Sequence, residues 1–213
     1  MRVLIACESS GVVRRAFEEQ GHEAWSCDIK PSEDGSWNHI QDDVLKVIKR
    51  EPWDLMIAHP PCTYLSSAAE WAYGPGPYHQ KTKPGTLVGD ARKEARIEAV
   101  ALFMTLWYSG IQRICIENPV GVMSALFRKP DQIIQPWQFG HDASKATCLW
   151  LKGLPKLKET DVLPGGRNAI RANQTKSGQN KLGPSEKRAT ERARTYEGIA
   201  RAMAEQWGIL SPE

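Results

Sequence analysis

Long apolar runs are absent from this chain of 213 residues. Nothing approaches the roughly 20 consecutive apolar residues of a membrane-spanning helix. The first apolar run, Val3-Leu4-Ile5-Ala6-Cys7, turns polar at Glu8 and is too short for a signal-peptide core. No Cys-x-x-C pair occurs, and the five cysteines (Cys7, Cys27, Cys62, Cys115 and Cys148) form an odd set. Neither a disulfide framework nor a structural zinc site is indicated. The expected compartment is a reducing cytoplasm, with no metal and no membrane partner. There is no internal repeat and no Gly-x-Gly-x-x-Gly, so a dinucleotide site has little support. A large charge excess is also missing, since 28 Lys+Arg against 25 Asp+Glu give +3. With 25% charged and 41% apolar residues, the composition is that of a globular protein, not a collagen, a disulfide mini-protein or a disordered chain. The length suits one domain with a real core.

The charge is unevenly spread. Residues 1–151 hold 16 basic and 18 acidic side chains, residues 152–194 hold 11 and 4, and residues 195–213 hold 1 and 3. A near-neutral body therefore carries one basic stretch of net +7. Such a stretch is either an electrostatic footprint for nucleic acid or a solvated loop.

Strand-like and helix-like periods alternate. Residues 3–7 form a short buried-strand pattern, broken by Glu8-Ser9-Ser10-Gly11. Val12, Val13, Ala16 and Phe17 follow at helical spacing, and Gly21 ends that helix. Residues 24–29 read as a second strand with Asp28 near its end, and residues 54–58 as another between prolines. Asp90 is placed to cap a long helix with Ile97, Val100, Met104 and Trp107 on one face. Residues 113–117 form the next strand, ended by Asn118-Pro119, and residues 148–151 a further one. Ile199, Met203 and Trp207 mark a final core-docking helix stopped by Gly208. The pattern predicts an α/β fold, a mostly parallel open sheet with helices on both faces. Residues 66–89 and 164–185 lack periodicity, as lids, binding loops or linkers do.

Ligands of open α/β sheets bind at the carboxyl ends of the strands. The residues following the predicted strands are Cys7 to Gly11, Asp28, Asp42-Asp43, His59-Pro60-Pro61-Cys62 and Glu117-Asn118-Pro119. Asp28 can hold ribose hydroxyls or simply cap a strand end. The Glu8 to Gly11 turn can bring a ligand carboxylate or sugar to a helix start. Four cysteines lie in apolar strand patterns and read as inert core residues. Cys62 instead follows two prolines that stiffen its backbone, which suits a nucleophile that must be aimed. Glu117, at a neighbouring strand end, can reach the same substrate. The bland alternative is a loop cysteine and a turn-capping glutamate.

Ile57-Ala58-His59-Pro60-Pro61-Cys62-Thr63-Tyr64-Leu65-Ser66 resembles the Pro-Cys catalytic motif of DNA cytosine C5-methyltransferases. Ile116-Glu117-Asn118-Pro119 resembles their Glu-Asn-Val motif. Residues 1–28 resemble the first part of their S-adenosylmethionine site, and Gln41-Asp42-Asp43-Val44 the acidic turn that contacts adenine. The resemblance covers about residues 1–150, with an echo in the terminal helix. It implies a Rossmann-like fold, S-adenosylmethionine as cofactor and nucleic acid, in the first instance DNA, as partner. It assigns Cys62 as the nucleophile at cytosine C6 and Glu117 as the group that holds the N3 and amino edge. Cys7, Glu8, Ser9, Ser10, Gly11, Asp28, Ile29, Asp43 and Pro60 would form the cofactor site. Pro61, Ser66, Asn118, Pro119, His141, Lys145 and Thr147 would line the substrate. A duplex base would have to be flipped out to reach them, under a lid at residues 66–89.

The chain also departs from this pattern. The usual Phe-x-Gly-x-Gly is replaced by Cys7-Glu8-Ser9-Ser10-Gly11, and Pro119 stands where valine is usual. The Gln-x-Arg-x-Arg motif is missing; Gly140 to Thr147 is the nearest segment in order. No target-recognition domain fits between the expected catalytic domain, residues 1–151, and the docking helix within residues 195–213. The basic, loop-rich residues 152–194 occupy its place, with Arg167, Arg171, Lys176 and Lys181 available for phosphates. Phosphate contacts position without specifying sequence, so loose specificity is expected. Two alternatives stand beside DNA methylation. One is the same chemistry on RNA, single-stranded DNA or a free cytosine nucleotide. The other is a non-catalytic module that binds nucleic acid or a partner.

Overall fold

The computed structural model describes residues 1–78, 82, 85–181 and 193–210. Its centre is a seven-stranded sheet in the order β3-β2-β1-β4-β5-β7-β6. The strands are β1 (Arg2–Ala6), β2 (Glu23–Asp28), β3 (His39–Gln41), β4 (Leu55–Ala58), β5 (Arg113–Pro119), β6 (Gln132–Ile134) and β7 (Thr147–Lys152). The first five pair in parallel, while β7 runs antiparallel to both β5 and β6. The five described α-helices are α1 (Val12–Glu19), α2 (Val44–Arg50), α3 (Gly89–Trp107), α4 (Met123–Leu126) and α5 (Glu197–Trp207). The mostly parallel α/β sheet with helices on both faces, expected from the alternating periods, is the one adopted.

Strand β4, and β1 from Val3 to Ala6, are fully buried because both sheet faces are covered. Alternation assigns the faces. Val3, Ile5, Leu55, Ile57 and Cys115 pack against Val13 and Phe17 of α1 and against Ile199, Met203 and Trp207 of α5. Leu4, Ala6, Met56, Ala58, Ile114 and Ile116 pack against Val44 and Val47 of α2 and Phe103 and Leu106 of α3. Successive connections from β1 lead outward to β2 and β3, then back across to β4. The crevice therefore opens above the carboxyl ends of β1 and β4, where strand order reverses.

Three local expectations are corrected. The cap of α3 is Val88, whose side chain makes no capping bond; Asp90 sits in the first turn and pairs with Lys93 at 2.7 Å. The buried side of α3 carries Arg92, Phe103 and Leu106, while Ile97 is 69% exposed. Residues 99–107 are apolar nearly all round, so packing of Phe103 on Trp150 and Phe127, not sequence period, sets the helix phase. Strand β5 continues through Asn118 and Pro119, because antiparallel β7 pairs them with Cys148 and Thr147. Among the described residues no helix is long and apolar enough to cross a membrane, and no metal-holding His/Cys/Asp/Glu group occurs.

Candidate active site

The turn after β1 is tightly built. Cys7 adopts a left-handed conformation with φ 59°, and Gly11 another with φ 68°. A Cβ on Gly11 would stand 2.5 Å from Asp34 Oδ2 and 2.6 Å from Arg14 Nη2, so glycine is required there. Glu8 is buried, and its carboxylate accepts from the backbone N–H of Val13 at 2.9 Å and of Arg14 at 3.4 Å. Ser10 Oγ donates to the same carboxylate at 3.1 Å. This corrects one expectation, since Glu8 itself fills the helix start that a ligand carboxylate was expected to use. Ser9 Oγ donates to Glu33 at 2.9 Å, and Arg194 forms an ion pair with Glu33 from across the crevice.

At the end of β2, Asp28 Oδ1 accepts from Lys30 N at 2.9 Å, and Ile29 beside it is 76% exposed. A carboxylate next to an uncovered apolar side chain can accept from hydroxyl donors and cover a flat ring. Asp43 is exposed and caps α2 through Leu45 N at 2.9 Å.

Pro60 is buried, whereas Pro61 and Cys62 are exposed above the end of β4. The other thiols are poor nucleophiles. Burial, helped by nearby carboxylates, pushes Cys7 to about 12; burial pushes Cys27 to about 12 and Cys148 to about 11, and Cys115 rises well above its ordinary value. The loop carrying Cys62 is tied to the end of β5. Asn118 Nδ2 donates to the Pro60 carbonyl at 2.9 Å, and Asn118 is itself buried. Val122 N donates to Leu65 O at 2.9 Å, and Ser66 pairs with Gly121 as an isolated antiparallel bridge. A Cβ on Gly121 would lie 2.0 Å from Leu65 O, which no side chain permits. Ser66 Oγ accepts from Ala68 N at 3.2 Å and starts a 3-10 turn over Ser67–Tyr73. Arg92 stacks on Tyr64 and Tyr73 and donates to Thr63 O at 3.1 Å. Arg96 donates to Tyr64 O at 2.9 Å. The Cys62 loop thus rests on both the β5 end and α3.

Glu117 lies on the opposite face from Asn118. His59 Nδ1 is 3.0 Å from its Oε2, Thr195 Oγ1 donates to Oε2 at 3.3 Å, and Lys145 Nζ is 4.0 Å from Oε1. Burial alone would raise the Glu117 carboxyl; the His59 charge and hydrogen bond, then Lys145 and Thr195, outweigh it and hold the group at about 2. His59 is raised, because the attraction of Glu117 and Glu8 exceeds the opposing effects of burial and Lys145. Lys145 Nζ also donates to Arg194 O at 3.1 Å. A pair of cationic or proton-bearing groups thus frames one ionised carboxylate at the rim.

The remaining expected residues are dispersed. Pro119 is half-buried in the β5–β7 ladder, and Thr147 is buried with its hydroxyl donated to Lys145 O at 3.2 Å. His141 Nε2 accepts from Gly198 N at 2.8 Å, so its ring caps α5 beside a polar hollow of about 360 Å³. Arg167 and Lys176 are exposed. Arg171 corrects the expectation of a phosphate contact: it is 5% exposed, stacks on Trp137 and donates to Gly166 O at 2.7 Å. It anchors the basic segment instead of presenting charge. Residues 182–192 of that segment, residues 79–81 and 83–84 of the expected lid, and the terminal residues 211–213 lie outside the described residues.

Sequence reasoning assigned no role to His59 or Thr195. His59 stands in the strand-end series, and its parity with Ile57 is a usable signal. Thr195, 78 positions from Glu117 in the chain, carries none.

No protein-family model matches the chain, and no curated protein matches it. Among the solved structures that are similar are two methyltransferases. One, described provisionally as a DNA modification methyltransferase encoded within a prophage of E. coli, is 13% identical over 71% of this chain and 46% of that one, with a TM-score of 0.40. The other, a mutant of Spodoptera frugiperda DNMT2, is 15% identical over 76% of this chain and 55% of that one, with a TM-score of 0.40. The chain spans about half the length of the solved structures it matches.

Proposed function

We propose that this protein is an S-adenosylmethionine-dependent cytosine C5-methyltransferase acting on DNA. One observation carries the reading: Asn118 clamps the Pro60 carbonyl, so the loop bearing Cys62 and the strand end bearing Glu117 are built as one rim. A binding module needs neither an exposed thiol on a proline-stiffened turn nor a largely buried, ionised glutamate on the neighbouring strand end.

In this mechanism the cofactor, when bound, supplies the methyl group; Asp28, Ile29 and the Cys7 to Gly11 turn would hold it. The Cys62 thiolate adds to C6 of a flipped-out cytosine, making C5 nucleophilic. Glu117 accepts from the exocyclic amino group and stands beside N3, which takes up a proton as Cys62 adds. Lys145 opposes negative charge that gathers on the pyrimidine. Release of the C5 proton and expulsion of Cys62 end the cycle. The Arg92 and Arg96 stacks hold the Cys62 loop, and exposed Arg167, Lys176 and Lys181 meet phosphates.

The experiment is trapping on DNA containing 5-fluorocytosine with S-adenosylmethionine present. Fluorine cannot leave as the proton does, so a denaturation-resistant protein–DNA adduct is expected, and none with Cys62→Ala. An equal adduct with Cys62→Ala, or none with folded wild type that binds cofactor by calorimetry, contradicts the proposal. RNA and single-stranded DNA run in parallel identify the preferred strand.

A further inference from the structure

His59 stands immediately before the Pro60-Pro61-Cys62 turn, on the sheet face of Ile57. Its Nδ1 meets Glu117 Oε2 at 3.0 Å. Its other ring nitrogen, Nε2, is buried without a hydrogen-bond partner among the described residues. Charged groups face the ring from three elements: Glu117 on β5, Glu8 on the turn after β1 and Lys145 on the loop before β7. Cys115 lies two residues before Glu117 on the same face of β5, and Thr195 bonds the same Glu117 oxygen from the start of α5.

This arrangement bears on the proton that the proposed chemistry requires. Addition of a thiolate to C6 drives an electron pair onto N3, which must then be protonated. Glu117, held ionised by its surroundings, has no proton to give. The 3.0 Å contact with Glu117 favours a proton on His59. We propose that His59 is the proton-holding and positioning partner of Glu117, furnishing through that carboxylate the proton taken up by cytosine N3 as Cys62 adds. The inference rests on the cytosine reading above.

The sulfur lone pair forms the Sγ–C6 bond, the C5=C6 π pair becomes C4=C5, and the C4=N3 π pair reaches N3. The His59–Glu117 pair gives one proton to N3 and is left as neutral imidazole and carboxylate. The adduct is then neutral. C5 takes a proton from water and releases its original hydrogen isotope to water. Expulsion of Cys62 returns the N3 proton to the pair. The cycle exchanges the C5 hydrogen and needs no cofactor.

The test is tritium release from mixed-sequence DNA labelled at cytosine C5, without cofactor, across about pH 5 to 9. Wild type, His59→Gln, His59→Ala and Cys62→Ala are compared, with melting curves and DNA retention measured alongside. Glutamine keeps an N–H donor toward Glu117 but cannot hold an extra proton. His59→Gln is expected to lose roughly 100-fold in release rate, with unchanged DNA retention. Wild-type release should fall as pH rises past the loss of the His59 proton, and this fall should vanish in His59→Gln. Rescue by glutamine to the wild-type rate and pH profile overturns the inference and leaves a purely structural histidine. Absence of release by folded wild type, on DNA and RNA alike, overturns the cytosine reading and the inference with it.

Discussion

Burial separates one thiol from four. Cys7, Cys27, Cys115 and Cys148 are held protonated by desolvation, while Cys62 is exposed. Native protein treated briefly with iodoacetamide near neutral pH should be alkylated at Cys62 and scarcely elsewhere. Peptide mass spectrometry reads this directly; alkylation spread over all five would contradict it. Glu117 and His59 also set opposite pH dependences of stability. Glu117 is depressed from 4.5 to about 2, so its contribution is present above pH 4.5 and fades as pH falls towards about 2. His59 is raised from 6.5, so its contribution is full below pH 6.5 and fades as pH rises through the folded value. Glu117→Gln should therefore melt lower than wild type near neutrality, with the gap narrowing in acid. A constant gap across the titration would contradict the pairing.

At the scale of elements, the rim depends on two loops from different strands being fastened together. Asn118→Ala leaves a buried carbonyl on Pro60 without its donor, which costs about 1–3 kcal/mol. The expected signature is a lower Tm together with a larger loss in turnover than in cofactor affinity, measured by calorimetry. Much of this level was legible in the sequence. Apolar runs at residues 3–6 and 55–58 could only be buried strands, and whatever followed them had to stand on the rim. The phase of α3 was not legible, because its apolar residues surround the helix and only contact with Trp150 and Phe127 selects a side. The three-residue β6 is too short to show a period, and it exists because β7 offers it an edge. Partners of Glu117 were partly legible: Lys145 as a candidate at the substrate and His59 through its parity with Ile57, but Thr195 not at all, since the start of α5 brings it in.

At the scale of the molecule, a near-neutral body carries a basic segment whose described part mixes a buried anchor with solvent-facing charge. Arg171 is buried against Trp137, whereas Arg167, Lys176 and Lys181 face solvent. Replacing those three with alanine should weaken DNA binding about equally for all sequences. The slope of log affinity against log salt should fall by roughly 0.9 for each phosphate contact removed on duplex DNA. An unchanged slope would leave the segment without a role in binding.

The central claim is methyl transfer to cytosine C5 through Cys62. Its most direct measurement is mass spectrometry of nucleosides from the DNA of a methylation-free host expressing either wild type or Cys62→Ala at equal soluble levels. The account predicts 5-methylcytosine with wild type and none with Cys62→Ala. Equal 5-methylcytosine in both, or none with folded wild type, would contradict it.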